Sequence, residues 1–130
     1  MFFDTHNHSQ FSFDGKGTTV EKSAVAAAEK GFGGICFTDH CDFYVPKMKE
    51  EFEPIVSEVF DVDAQQAEID RVNGLIAEGV YGKSVPRKFK VFKGIELGLG
   101  EKNHDQTREL LSGHKFDQII ASVHYLEDTD

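Results

Sequence analysis

Four histidines and one glutamate stand where a polypeptide can assemble a metal site: His6, His8, His40, Glu96 and His124. His6 and His8 are two residues apart, so on a β-strand their side chains leave the same face and can converge on one cation or two adjacent ones. Imidazole nitrogen and carboxylate oxygen, with no thiolate, form a donor set that suits Zn, Mn or Fe. Such ions can lower the pKa of bound water from 15.7 to about 7, which supplies a nucleophile at neutral pH. Taken alone, a His-x-His pair is read as readily as two solvated histidines at a strand end. The elements around these residues decide between the two.

Phe2-Phe3 leads into the histidine pair as a short apolar strand. Thr18-Thr19-Val20-Glu21 has the form of a capping box with Thr18 as the cap, and Val20, Ala24, Ala27 and Ala28 follow at helical spacing up to Gly31, the expected left-handed C-terminal cap. Gly34-Ile35-Cys36-Phe37-Thr38 is an apolar run typical of a strand covered on both faces, and it ends at Asp39-His40. Residues 41 to 61 read as a long loop that has room for a short helix. Asp63 is placed to cap a second helix carrying Ile69, Val72 and Ile76 on one face, with Gly79 after its end. Phe89 to Ile95 predicts a third strand, Asn103 to Leu111 a third helix and Gln118 to Val123 a fourth strand.

The order β-α-β-α-β-α-β implies an α/β fold with a parallel sheet and right-handed crossovers. Each predicted strand then ends in a candidate ligand: His6 and His8, His40, Glu96, His124. In a parallel β/α barrel the C-terminal strand ends form the active-site mouth. Four of the six histidines fall there, which favours the metal reading, whereas His104 and His114 fall on a helix start and a loop and read as surface residues.

The chain has 130 residues, one domain or part of one, and is short for a β/α barrel of about 250 residues. Its 14 Lys and Arg against 23 Asp and Glu give a net charge of −9, which disfavours nucleic acid as a partner. Cys36 and Cys41 form no CxxC pattern and read as reduced thiols. The sequence shows no signal peptide and no apolar run of about 18 residues, so a cytoplasmic protein without membrane contact is expected.

Five segments carry a resemblance to the PHP (polymerase and histidinol phosphatase) family, in particular its monofunctional histidinol-phosphatase branch. They are Asp4-Thr5-His6-Asn7-His8-Ser9, Phe11-Ser12-Phe13-Asp14-Gly15, Phe37-Thr38-Asp39-His40, Gly94-Ile95-Glu96-Leu97-Gly98, and Phe116 through His124. The resemblance spans the chain in order. It implies the N-terminal part, about four β/α units, of a distorted seven-stranded TIM-like barrel holding two or three divalent metals. His6 and His8 resemble ligands of the first metal, Glu96 a bridge, Asp14 and His40 ligands of the second, and His124 a ligand of the third. The metal ligands themselves constitute the catalytic apparatus. Asp4 and Asp39 are candidates for acceptors that orient ligand imidazoles, or for strand-end caps.

The resemblance further implies a phosphoric monoester hydrolase of histidine biosynthesis, acting on histidinol phosphate in its complete form. The alternatives are a PHP phosphatase for another small phosphorylated metabolite, and a truncated or degenerate domain that binds metal without significant catalysis. Residues 1–130 are expected to be a single partial PHP domain, since family members continue past this point and supply further ligands. The open sheet edges at Phe2-Phe3 and Ile119-Ile120 would be buried by a two-fold homodimer.

Overall fold

The computed structural model describes residues 1–43, 60–99 and 103–124. Its elements in chain order are β1 (Phe3–Asn7), α1 (Val20–Glu29), β2 (Gly34–Phe37), β3 (His40–Cys41), α2 (Val62–Glu78), β4 (Lys90–Gly98), α3 (His104–Gly113) and β5 (Gln118–Ser122). Most of the predicted 41 to 61 loop lies outside the described residues.

Every strand pairing is parallel, as the βα alternation requires. β4 is the central strand. β2 pairs with its first half, Gly34 opposite Lys90 through Phe37 opposite Lys93, and β3 pairs further along, with His40 opposite Glu96. β5 takes the other flank, Gly94 opposite Gln118 through Gly98 opposite Ser122. β2 and β3 are therefore one strand interrupted at Thr38-Asp39. The pairing continues through the interruption, because Thr38 N–H donates to the Asn7 carbonyl (2.8 Å) and Glu96 N–H to the Asp39 carbonyl (3.0 Å). β4 runs three residues past the predicted Ile95, so Glu96 sits within the strand, paired on both sides.

Alternation sorts the sheet into two faces. Ile35, Phe37, Val91, Ile95 and Leu97 face the helices. The main core joins Val20, Ala24, Ala27 and Ala28 of α1 and Ile69, Val72 and Ile76 of α2 to Ile35, Phe37 and Val91. A smaller core joins Cys41, Ile95 and Leu97 to Leu110 and Leu111 of α3. Cys36 and Cys41 are free and buried, and burial pushes both thiols up to about 12, which leaves them inert. Among the described residues β1 and β5 are edge strands, with Phe2, Phe3, Ile119 and Val123 exposed near them. No helix among the described residues is long and apolar enough to cross a membrane.

The two N-terminal caps differ from expectation by one or two residues, for identifiable reasons. Thr19, not Thr18, caps α1, its hydroxyl accepting from Lys22 N–H at 3.1 Å. Thr18 pairs with Ser23 instead, and Glu21 leaves the capping box to bind Tyr81 and Arg71, tying α1 to α2 and the turn beyond it. Asp61, not Asp63, caps α2, accepting from Ala64 N–H at 3.0 Å. Starting at Val62 lets the helix bury that residue, and it frees Asp63 to meet His114 Nε2 at 2.9 Å. The predicted C-terminal glycines hold: Gly31 and Gly79 adopt φ of 87° and 74°, the left-handed conformation a side chain disfavours.

Candidate metal centre

The site begins with an irregularity in β1. Asp4 is in register with Ile35 and Asn7 with Phe37, so β1 takes three steps where β2 takes two. Regular alternation from Asp4 would turn His6 and His8 toward the helices, alongside Ile35 and Phe37. The bulge reverses that alternation and delivers both imidazoles to the opposite face, a known use of bulges beside active sites. It also separates Asp4 from them. Asp4 makes no hydrogen bond to an imidazole among the described residues, which corrects its expected orienting role.

On the far face His6 Nε2 and His8 Nε2 lie 3.1 and 2.9 Å from Glu96 Oε2. His124 Nε2 lies 3.0 Å from Glu96 Oε1, and His40 Nδ1 is 3.7 Å from Oε2. Glu96 on β4 thus stands at the centre of four imidazoles delivered by β1, β3 and β5. Burial raises its pKa, but the bonds from His124 and His6, the charge of His40 and the bond from His8 outweigh it and hold the carboxyl down at about 2. Burial lowers the pKa of His40. For His124 burial works in the same direction, but its bonds to Glu96 and Asp42 raise the pKa overall.

Asp14 arrives on the loop after β1, folded back by consecutive turns in which Ser12 N–H donates to the Ser9 carbonyl and Gly15 N–H to the Ser12 carbonyl. A Cβ at Gly15 would overlap the Ser9 carbonyl, so only glycine permits this fold-back. The Asp14 carboxylate then lies 2.9 Å from His8 Nδ1 and 3.2 Å from His40 Nε2. Burial opposes its ionisation, but the bonds from Ser12 and His8 and the charges of His8 and His40 pull its pKa down. Phe13 stacks on His40 with ring centroids 5.0 Å apart, limiting the turning of that imidazole.

Of its two expected roles, Asp39 makes the hydrogen bonds of the strand-end cap. It is fully buried and accepts from Ser9 N–H, Ser9 Oγ–H (2.8 Å) and Gln65 Nε2–H (2.7 Å). It pins the loop that follows His8 and ties it to α2, rather than orienting an imidazole. The sequence reading missed Asp42. Its Oδ1 lies 2.7 Å from His124 Nδ1 and its Oδ2 3.9 Å from His40 Nδ1. The signal was present, since a residue two beyond His40 on a strand shares its face. His104 is exposed and His114 pairs with Asp63, both away from the cluster.

Three groups converge closely enough to hold a cation: His6, His8 and Glu96; His8, Asp14 and His40; His40, Glu96 and His124, with donor atoms within 4.8 Å of one another in each. Ligands about 2.1 Å from a tetrahedral ion stand about 3.4 Å apart, close to the separations found here. His40 Nδ1 is buried without a hydrogen-bond partner between two carboxylates, a polar atom that a cation would satisfy. The donor set fits divalent metal.

The chain is 34% identical over 130 residues to a protein of Clostridium acetobutylicum named "Probable histidinol-phosphatase", covering 42% of that protein. It is 31% identical over 127 residues to a histidinol-phosphatase of Lactococcus lactis subsp. lactis, covering 40% of it. The chain thus spans about two-fifths of the length of these relatives. It also superposes, with a TM-score of 0.70 and 29% identity, on a histidinol phosphate phosphatase from Lactococcus lactis crystallised with zinc, L-histidinol and phosphate. That match covers 98% of this chain and 41% of the other, and assigns the sheet described above to part of a TIM-like β/α barrel. Residues 4–130 match the family model described as the PHP domain, and the chain belongs to the PHP family.

Proposed function

We propose that the cluster around Glu96 holds two or three divalent cations, Zn, Mn or Fe, and that the full-length protein carrying this chain hydrolyses histidinol phosphate. The observation that carries this reading is the convergence of His6, His8, His40, His124 and Asp14 on or beside one buried carboxylate at the C-terminal ends of parallel strands. The relatives' names and the zinc, histidinol and phosphate in the Lactococcus structure support the substrate assignment.

His6 and His8 would hold a first cation with Glu96, Asp14 and His40 a second, and His124 a third with Glu96 as the shared bridge. An imidazole offers one nitrogen to an ion at a time, so His8 directs Nε2 to the first position and leaves Nδ1 for Asp14. Cations so held would polarise a phosphate oxygen and lower the pKa of a bound water. The residues themselves fix geometry. Glu96 is held ionised by its neighbours, Asp39 pins the backbone between His8 and the turn, and Phe13 restrains His40. Bound cations also offset the −9 charge of the chain, so a phosphate dianion is not repelled from the mouth.

The test is phosphate release by metal-loaded full-length protein from histidinol phosphate and from other small monoesters such as glycerol phosphate. We expect kcat/KM for histidinol phosphate to exceed that for the others at least about tenfold, a discrimination of about 1.4 kcal/mol, and a chelator to abolish it. Equal rates on all monoesters would remove the substrate assignment. Metal uptake without phosphate release from any monoester would reduce the chain to a metal-binding domain.

A further inference from the structure

We infer that Asp42 is a positioning residue of the metal centre, accepting the Nδ1 proton of His124 so that the Nε2 lone pair of that imidazole is presented toward Glu96 and a shared cation. The inference rests on the metal reading above and adds to it a residue outside the three ligand groups. Asp42 follows β3 directly, and its side chain is 9% exposed, so its carboxylate is shielded from competing water. Oδ1 lies 2.7 Å from His124 Nδ1, while His124 Nε2 points the other way, 3.0 Å from Glu96 Oε1.

Both ring nitrogens of His124 face a carboxylate, but Asp42 makes the shorter contact and Glu96 also has His6 and His8 beside it. The single hydrogen of the neutral ring goes to the shorter contact, on Nδ1, while Glu96 draws hydrogens from His6 and His8, so Nε2 presents the lone pair available to metal. Partners of this kind fix the tautomer and the ring plane of a metal-ligating histidine. The backbone is shaped to allow the contact. A Cβ at Gly98, at the end of β4, would collide with the Asp42 carboxylate and stand 3.2 Å from His124 Nδ1. Glycine at this position keeps open the space in which the two side chains meet. Asp42 Oδ2, at 3.9 Å from the unpartnered His40 Nδ1, places its remaining charge beside the second imidazole of the same ligand group.

Two variants separate positioning from charge: Asp42→Ala removes the carboxylate, and Gly98→Ala displaces it while keeping it in the chain. The His124 tautomer is read by long-range ¹H–¹⁵N NMR on metal-free protein above the histidine titration range, and zinc binding by competition titration. Amide spectra verify that each variant folds. In the wild type we expect the His124 hydrogen on Nδ1. In both variants we expect it to redistribute toward Nε2, with one class of zinc bound about 10–100-fold more weakly.

Asp42→Ala with an unchanged tautomer, or with a changed tautomer and wild-type zinc affinity, would overturn the inference. Loss of zinc in Asp42→Ala but not in a folded Gly98→Ala would assign the effect to charge alone and overturn positioning. Wild-type protein that takes up no zinc would overturn the metal reading itself, a result distinct from equal binding by wild type and variants.

Discussion

Glu96→Gln is expected to empty the centre. The substitution keeps the size and one oxygen of the side chain but removes the charge on which His6, His8 and His124 converge and which lies 3.7 Å from His40. Two of the three candidate ligand groups contain Glu96, so both lose their only carboxylate. A carboxamide is neutral and a weak metal ligand, with one acceptor oxygen in place of two. Metal content should fall to at most the group of His8, Asp14 and His40. In the full-length protein kcat/KM on histidinol phosphate should drop about a thousandfold or more, about 4 kcal/mol of transition-state stabilisation. Elemental analysis beside a phosphatase assay measures both. A Glu96→Gln protein with full metal content and near-normal turnover would show that Glu96 is not the bridge.

Phe37→Ala is expected to be the most damaging single change to the scaffold of the site. Phe37 is fully buried, closes β2 on the helix-facing side, and packs in the core formed by α1 and α2. Truncating such a ring costs about 3–5 kcal/mol through lost burial and the cavity left behind. Domains of this kind are stable by only 5–15 kcal/mol. In urea the midpoint should fall sharply with little change in slope. Because Phe37 immediately precedes Thr38, Asp39 and His40, loosening it should also weaken zinc binding. A loss below about 1 kcal/mol would mean that Phe37 does not join the core of α1 and α2.

The residues that meet at the mouth were legible in the sequence because each closes or follows an apolar run of strand character, and parallel topology gathers strand ends. His40, Glu96 and His124 needed no more than that. His6 and His8 share a face as their spacing implies, but which face is set by the bulge between Asp4 and Asn7, and a single added residue leaves no periodic trace in five residues of strand. That same bulge is why Asp4 failed as an orienting acceptor. Which of its two expected roles Asp39 takes was not legible, because its partners, Ser9 and Gln65, are polar residues on a loop and a buried helix face whose meeting is a tertiary event. Asp42 shares the face of His40, yet the break at Thr38-Asp39 hid the continuation of the strand that puts it there. The caps slipped from Thr18 to Thr19 and from Asp63 to Asp61 because a chemically equivalent residue stands one or two positions away in each case.

Whether these side chains form a metal centre is decided by titrating metal-free protein with zinc and recording X-ray absorption at the zinc edge. Tight uptake of at least one zinc per chain is expected, surrounded by nitrogen and oxygen at about 2.0–2.2 Å with imidazole scattering and no sulfur at about 2.3 Å. Failure to take up zinc, or a first shell containing the sulfur of Cys36 or Cys41, would contradict it.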